Sequence, residues 1–224
     1  MPVNLLEQIA LFSTLDRVAV AILLLVWVAS TQLIEHPPRT RPSVSALMAD
    51  YRREWMKHFV SRDPRIFDSQ IIGNLRQGTA FFASASMIAI GGGLALIGNA
   101  DLLRGVAEDL TFDRAPTFVW EVQLMLMLVL PPNAFLKFVW SHRLFGYCAV
   151  IMAAVPNDPA DPAAYPRARK AAALNITAAR SYNKGLRSIY FAMAATAWLL
   201  GAVPLILAVL FTLSKTVEAG VMPL

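Results

Sequence analysis

The chain has 224 residues and a mass of 24.6 kDa. Hydrophobic residues make up 57% of it, charged residues only 16%, and the mean hydropathy is +0.52; this composition excludes a disordered chain and a coiled coil. The single cysteine, Cys148, also excludes a domain stapled by intrachain disulfides. We therefore expect an integral membrane protein.

Four apolar stretches are long enough to cross a bilayer as helices, which takes about 20 residues each. They cover residues 18–34, 79–98, 118–140 and 189–213. The first is expected to remain uncleaved, because its apolar run is long for a signal peptide and the segment before it has only Arg17 as a basic residue. The predicted fold class is all-α, a four-transmembrane-helix bundle that forms a single membrane domain over residues 1–224.

The distribution of charge predicts the orientation of the bundle. The net charge is +5, and most basic residues lie in two loops: residues 35–78 hold eight basic and five acidic residues, and residues 141–188 hold seven and two. The connection 99–117 has more acidic than basic residues. The positive-inside rule then makes the two basic loops cytoplasmic and both termini extracytoplasmic, in a plasma membrane or bacterial inner membrane. Orientation explains the basic charge, so we expect no nucleic-acid partner.

The cytoplasmic loops are predicted to contain amphipathic helices. In the first loop, apolar residues recur at helical spacing from Val44 to Phe59. This helix lies either on the membrane surface as a lipid-facing anchor or against the cytoplasmic ends of the spans, and we favour the second arrangement. In the second loop, residues 144–155 prolong the third helix, and residues 167–187 form a helix that leads into the fourth span.

Glycines and prolines interrupt the spans at several points. Small residues and three consecutive glycines in the second span indicate close helix packing, with an unwound ion site as the alternative. Two prolines in the third span predict a kink, and Asn133 beside them predicts an interhelical hydrogen bond or a bound water. The residues expected to kink or weaken the spans are Gly91, Gly92, Gly93, Pro131, Pro132 and Pro204.

An internal comparison indicates two parallel copies of a helix, a cytoplasmic segment and a second helix. A shift of 109 residues places Asn74 on Asn183 and gives seven identities over the 24 positions from 74 to 97. Chance similarity between alanine-rich spans is the alternative. If the repeat is real, the two asparagines mark equivalent cytoplasmic mouths, near Arg76 and Arg187 respectively. These four residues are the first candidates for a pore mouth or a ligand site.

A second group of candidates follows the third span, where Lys137, His142 and Arg143 lie at its predicted cytoplasmic boundary. Lysine and arginine at such a boundary usually extend their charged ends toward the headgroups. Interfacial anchoring is therefore the leading interpretation of these residues, and a site for an anion or a lipid headgroup is the alternative.

Several short motifs, in order along nearly the whole chain, resemble a membrane family known as domain of unknown function 599. They are residues 68–72, 81–84 and 90–92, then 137–143, then 182–187 and 190–192 with Trp198. The resemblance implies a multispan membrane protein, of a kind found in bacteria and plants, that has no assigned activity. It supports the predicted topology and supplies no catalytic residues.

Nothing in the sequence predicts enzymatic chemistry, a cofactor or a metal. The histidines His36, His58 and His142 are far apart, and there is no spacing typical of metal ligands. We expect an oligomeric passive channel or a transporter for small ions, which would assemble as a homo-oligomer in the lipid bilayer. The alternative is a membrane scaffold or accessory subunit that docks a membrane or cytoplasmic protein, or anionic lipid, on its basic cytoplasmic face.

Overall fold

The structure is a computed structural model that describes residues 11–35, 43–99 and 116–220, so most of the predicted connection 99–117 lies outside the described residues. Within them every regular element is a helix, which confirms the all-α prediction. The helices are α1 (Thr14–Glu35), α2 (Val44–Phe59), α3 (Ile66–Ile97), α4 (Thr117–Ala153), α5 (Ala164–Thr196) and α6 (Ala202–Gly220), with a short 3-10 helix (Ala197–Leu200) between α5 and α6.

Three of these helices, α1, α3 and α4, are long and apolar enough to cross a membrane. They contain almost all of the predicted spans 18–34, 79–98 and 118–140. In the most apolar stretch of α3, only 6% of the residues are buried inside the protein. Large apolar side chains such as Phe81 and Ile88 point outward instead. A helix with this surface is suited to lipid and not to water.

The prediction of one continuous fourth span over residues 189–213 is wrong. The helix α5 ends at Thr196, a 3-10 turn follows, and Gly201 has φ +115°, which only glycine adopts readily. The helix α6 then runs back along α5. Pro204 does not kink a continuous helix, because it lies in the first turn of α6, where its missing N–H would have had no helical partner.

Two contacts with α1 fix the direction of this hairpin. The indole of Trp198 donates a 2.9 Å hydrogen bond to Asp16 near the start of α1. At the other end of α6, Gly220 lies beside Ile34, near the end of α1. The helix α6 is therefore parallel to α1, and the described ends of the chain lie at opposite ends of the bundle. The termini themselves, residues 1–10 and 221–224, lie outside the described residues, so the predicted side on which they emerge stays a prediction.

Two hydrophobic clusters lie at opposite ends of the long α4–α5 pair. The Trp198 cluster joins α1, α4, α5 and α6 and includes Leu23, Leu130, Phe191, Trp198 and Leu205. The Cys148 cluster joins α2, α3, α4 and α5 and includes Met56, Phe59, Phe145, Cys148 and Ala171. Because α5 extends through both clusters, the turns near its middle lie between them.

A polar layer separates the two clusters. The Asn133 amide donates a 2.8 Å hydrogen bond to Ser188, and the Ser181 hydroxyl donates to the Lys137 carbonyl at 2.9 Å. The bond from Asn133 confirms the interhelical alternative predicted for this residue. It also lies just after Pro131 and Pro132, through which α4 continues without interruption.

The helix α2 packs against α5 and belongs to the bundle. Ser43 caps its start by accepting a hydrogen bond from the Ala46 amide at 3.2 Å. After α2, the guanidinium of Arg65 donates to the carbonyls of Val155 and Pro156, at 2.7 Å and 2.8 Å, and so ties the start of α3 to the end of α4. Of the two arrangements predicted for α2, this packing corresponds to the helix that covers the ends of the spans.

The packing does not confirm the internal repeat. The helices α4 and α5 pack along their full lengths, whereas α1 and α3, which the repeat would make equivalent to them, have no comparable interface. The glycine segment of α3 remains helical throughout, so the unwound alternative is not observed. Gly93 packs closely, since an added Cβ would lie 2.5 Å from Leu128, while Gly91 and Gly92 face open space.

Candidate functional site

A cavity of about 1000 Å³ lies next to the polar layer, on the side of α5 that faces α1, α2, α3 and α6. It reaches along α5 from Ile176 to Ala194, which is about 27 Å at 1.5 Å per residue. At this size it is at the upper end of the range for small-molecule sites, which is about 300–1,000 Å³. We call it the polar-layer cavity.

Three of the four residues predicted to mark the mouth line this cavity. They are Asn74 on α3 and Asn183 and Arg187 on α5. Among the residues that the structure describes, neither asparagine side chain has a hydrogen-bond partner, so both amides are available to a ligand. The two asparagines thus share a cavity although the repeat that drew attention to them is not confirmed.

The most buried charge in the cavity wall is Arg187, whose side chain is only 6% exposed. Its Nη2 donates a 2.7 Å hydrogen bond to Oε1 of Glu35, the last residue of α1, whose side chain is 4% exposed. The pair is incompletely satisfied, because Arg187 Nε and Glu35 Oε2 have no hydrogen-bond partner within the described residues. A buried N–H without a partner is costly, and Arg187 is at the same time one of the residues that line the cavity.

Three further cations surround the same space: Arg52 on α2, Arg180 on α5 and Lys215 on α6. The Nε of Arg180 lies 3.8 Å from Glu35 Oε2, and its side chain is 47% exposed. Arg52 donates to the Asn175 amide oxygen. Burial lowers the pKa of the Arg52 guanidinium, yet an arginine remains charged at neutral pH. No carboxylate is among the described residues that line the cavity.

The opposite end of the cavity is apolar. Beyond Arg187, its walls are formed by side chains of α5 and α6: Tyr190, Met193, Ala194, Ala208 and Phe211. Cations therefore concentrate at the end near α2, and hydrocarbon lines the end toward the α5–α6 turn. This gradient matches a molecule that has an anionic group at one end and an apolar chain at the other.

The remaining predicted residues lie outside the cavity. His142 Nδ1 is 3.2 Å from the Arg76 carbonyl and 3.3 Å from the Thr79 hydroxyl, so it joins α4 to α3. Arg76 contributes its backbone to this contact and has an exposed side chain. Lys137 accepts from Ser181 through its carbonyl. Arg143 is exposed, and its guanidinium stacks on the Tyr147 ring of the same helix. None of these four forms part of the cavity wall.

The cavity-lining cations Arg52, Arg180 and Lys215, and Glu35, the ion-pair partner of Arg187, were not among the predicted site residues. Glu35 precedes two prolines and reads as the start of a loop, and it meets Arg187 across 152 residues of sequence. Lys215 reads as a residue beyond the last span. The signal that was present is the stripe formed by Arg180, Asn183 and Arg187, spaced i, i+3 and i+7, which places all three on one face of α5.

Within the described ranges, no group of three or more histidine, cysteine, aspartate or glutamate side chains is arranged to hold a metal. Cys148 is buried and unpaired by any disulfide, and its thiol donates to the Ala171 carbonyl at 3.3 Å. The chemistry that the described cavity offers is therefore that of arginine, lysine and amide donors beside an apolar wall, which suits binding of an anion.

Comparison with protein families identifies a match to the model described as "Protein of unknown function, DUF599", over residues 18–218. No curated protein and no solved structure matches the chain. The matched range extends from the first turns of α1 almost to the end of α6 and so contains every described residue that lines the polar-layer cavity except Gly220. Because the match covers most of the chain, the protein belongs to the DUF599 family of unknown function.

Proposed function

We propose that this protein is a multipass plasma-membrane protein that binds an anionic amphiphile, such as an acidic lipid, from the cytoplasmic leaflet. The observation that carries this proposal is the polarity gradient of the polar-layer cavity, which has arginines and free amides at one end and hydrocarbon at the other. The proposal keeps the predicted role of the basic face in binding anionic lipid and gives it a specific site.

The proposed placement in the bilayer follows from surface polarity and charge. The Trp198 cluster lies within the hydrocarbon, because the outward-facing residues around it are large and apolar, such as Ile88, Met125 and Leu207. The Cys148 cluster lies in the cytoplasm, where the positive-inside rule assigns the two basic loops. The α5–α6 hairpin then replaces the fourth span, and the Gly220 end of α6 lies on the cytoplasmic side, opposite Thr14.

This placement positions the cavity at the inner boundary of the membrane. Arg187 is at the level of Asn133, which is 16 residues after Thr117 and so about 24 Å along α4. That distance approaches the thickness of the hydrocarbon core, about 30 Å. An acidic headgroup at Arg180 and Arg187 would lie at the depth of the cytoplasmic headgroups, with its chain alongside Met193 and Ala208.

The charges around the cavity determine which headgroup it binds. The four cations of the wall face two carboxylates, Glu35 beside Arg187 and Arg180 and Glu218 beside Lys215, so an excess of positive charge remains and the cavity favours a ligand that carries negative charge. The two free asparagine amides supply donors that a phosphate or carboxylate can accept from. A zwitterionic headgroup would bring its own cation into this positive environment and should bind less well.

A passive pore in a single chain is less well supported. Toward the α5–α6 turn, the Trp198 cluster fills the space between α1, α4, α5 and α6 with buried side chains such as Leu23 and Phe191. A conducting path would then have to run between copies of the chain. The channel and the homo-oligomer that it requires remain predictions.

The proposal is tested by measuring the binding of a fluorescent-chain phosphatidylglycerol to the purified protein in neutral detergent, beside the phosphatidylcholine with the same chains. We expect tighter binding of phosphatidylglycerol. Arg180→Gln should weaken it about fivefold, which corresponds to about 1 kcal/mol, with little effect on phosphatidylcholine. Ala208→Trp, which fills the apolar end, should weaken both.

Two matched variants control for general effects. Arg143→Gln removes an equal charge outside the cavity, and Leu207→Trp adds the same side chain at a neighbouring position that faces outward. Neither should alter binding. Equal affinity for the two lipids, or equal losses in the control variants, would contradict the proposal.

A further inference from the structure

A second groove, of about 590 Å³, lies between α2 and α5 on the side away from the Trp198 cluster. Arg53 and Lys57 of α2 and Arg169 and Arg180 of α5 line it, and the described lining residues include no carboxylate. Its floor is apolar and belongs to the Cys148 cluster, through Met56, Ala168 and Ala172. We call it the α2–α5 groove.

From this groove we infer a docking site for an acidic segment of a cytoplasmic partner protein. The inference does not depend on a ligand in the polar-layer cavity. Only Arg180 and Ile176 line both spaces, and the residues used to test the groove line the groove alone.

The shape of the groove favours an extended chain over a compact ligand. From Tyr165 to Arg180 it follows 15 residues of α5, about 22 Å, which is the length of about seven residues in an extended peptide. Arg169 and Arg180 are about 16 Å apart along the helix. Cations this far apart do not converge on one phosphate, but they can each meet a separate carboxylate of a peptide.

The cations of the groove are only partly neutralised. Arg53 forms an exposed i, i+3 pair with Asp50, and Arg180 approaches Glu35. Within the described part of the chain, Lys57 and Arg169 have no ion-pair partner. The carboxylates of an acidic segment would form ion pairs with both of these cations, and its apolar side chains would cover the floor of the groove. Protein interfaces commonly combine charges that steer association with buried apolar contacts.

A membrane lipid fits this groove less well than the first cavity. Arg169 is 18 residues before Arg187, so it lies about 27 Å from the polar layer along α5. The headgroup zone extends only about 5–8 Å beyond the hydrocarbon on each side. The far end of the groove is thus beyond the reach of a headgroup and open to soluble partners.

The test uses the full chain in neutral nanodiscs and a fluorescent peptide of about seven residues that alternates glutamate and leucine. We expect saturable binding that weakens as salt increases. The double variant Lys57→Glu with Arg169→Glu should weaken binding about tenfold or more, because like charges would then face each other. Ala173→Trp, which narrows the groove at an exposed position without changing charge, should also weaken it.

The matched control reverses two exposed charges that do not line the groove, Lys170 and Arg143. Lys170→Glu with Arg143→Glu changes the net charge equally and should leave binding within about twofold. An equal loss in this control would show nonspecific attraction and overturn the inference. The inference would also be overturned if the peptide did not bind and if pyrophosphate or phosphatidylglycerol vesicles bound instead. In that case the binding would depend on Lys57 and Arg169.

Discussion

Replacing Glu35 by glutamine should destabilise the protein strongly, because it leaves Arg187 as a buried cation without a counter-ion. The two side chains are 4% and 6% exposed and are joined by a 2.7 Å hydrogen bond. At that distance two unit charges interact by about 6 kcal/mol for an effective dielectric constant of about 20. Arg180, 3.8 Å from the same carboxylate, would add repulsion once the negative charge is gone.

Part of that energy is recovered when the freed groups take up water, so we expect Glu35→Gln to lower the free energy of unfolding by about 3–5 kcal/mol, the usual cost of breaking a buried pair. The double variant Glu35→Leu with Arg187→Leu should lose less than the single variant, because it removes both buried charges.

The assay is reversible unfolding in mixed micelles, followed by circular dichroism. Asp50→Asn provides the comparison, since it breaks the exposed pair with Arg53 and should cost only about 0–1 kcal/mol. If Glu35→Gln lowers the free energy of unfolding no more than Asp50→Asn does, then Glu35 and Arg187 do not form a buried ion pair at the cavity wall.

Three further predictions concern packing and orientation. Gly185→Ala should lower the free energy of unfolding by about 1–3 kcal/mol, because the added Cβ would lie 2.7 Å from the Phe138 ring. Gly201→Ala should cost about 1–3 kcal/mol, since its φ of +115° strains any other residue, and both variants are measured in the same unfolding assay. A cysteine at Lys215 should react with an impermeant maleimide only when the cytoplasmic side is exposed.

These predictions have matched controls. Gly73→Ala and Gly91→Ala add the same methyl group where nothing lies within 4 Å, and they should leave stability unchanged or raise it slightly. Ser13→Cys, beside the start of α1, should react only from the outside of intact cells. Equal losses in all four glycine variants would contradict the packing described for Gly185 and Gly201. Labelling of Lys215→Cys from outside would contradict the proposed placement of the hairpin in the membrane.

Periodic hydrophobicity was enough to predict much of the fold. The apolar stripe of α2, the extension of α4 beyond residue 140 and the long helix that leads into the membrane all follow from spacing, and all are present. The hairpin could not be predicted in this way. Residues 189–213 are predominantly apolar on both sides of Gly201, so hydropathy does not show that the chain reverses there, and Pro204 resembles a kink in a longer helix.

The site was predicted in part, for a similar reason. Asn183 and Arg187 share a helix face, and that relation is visible in local spacing. The partner of Arg187 is not local, because Glu35 belongs to another helix and reaches it only through the packing of α1 on α5. His142 was singled out for its chemistry, yet its ring mainly joins α4 to α3 through the Arg76 carbonyl.

The most direct test of the proposed amphiphile site is native mass spectrometry of the protein released from nanodiscs that contain equal amounts of phosphatidylglycerol and phosphatidylcholine. The account predicts that each chain retains one phosphatidylglycerol in preference to phosphatidylcholine, and that Ala208→Trp abolishes this retention while Leu207→Trp does not. Retention of both lipids in equal amounts, or retention that survives Ala208→Trp, would contradict it.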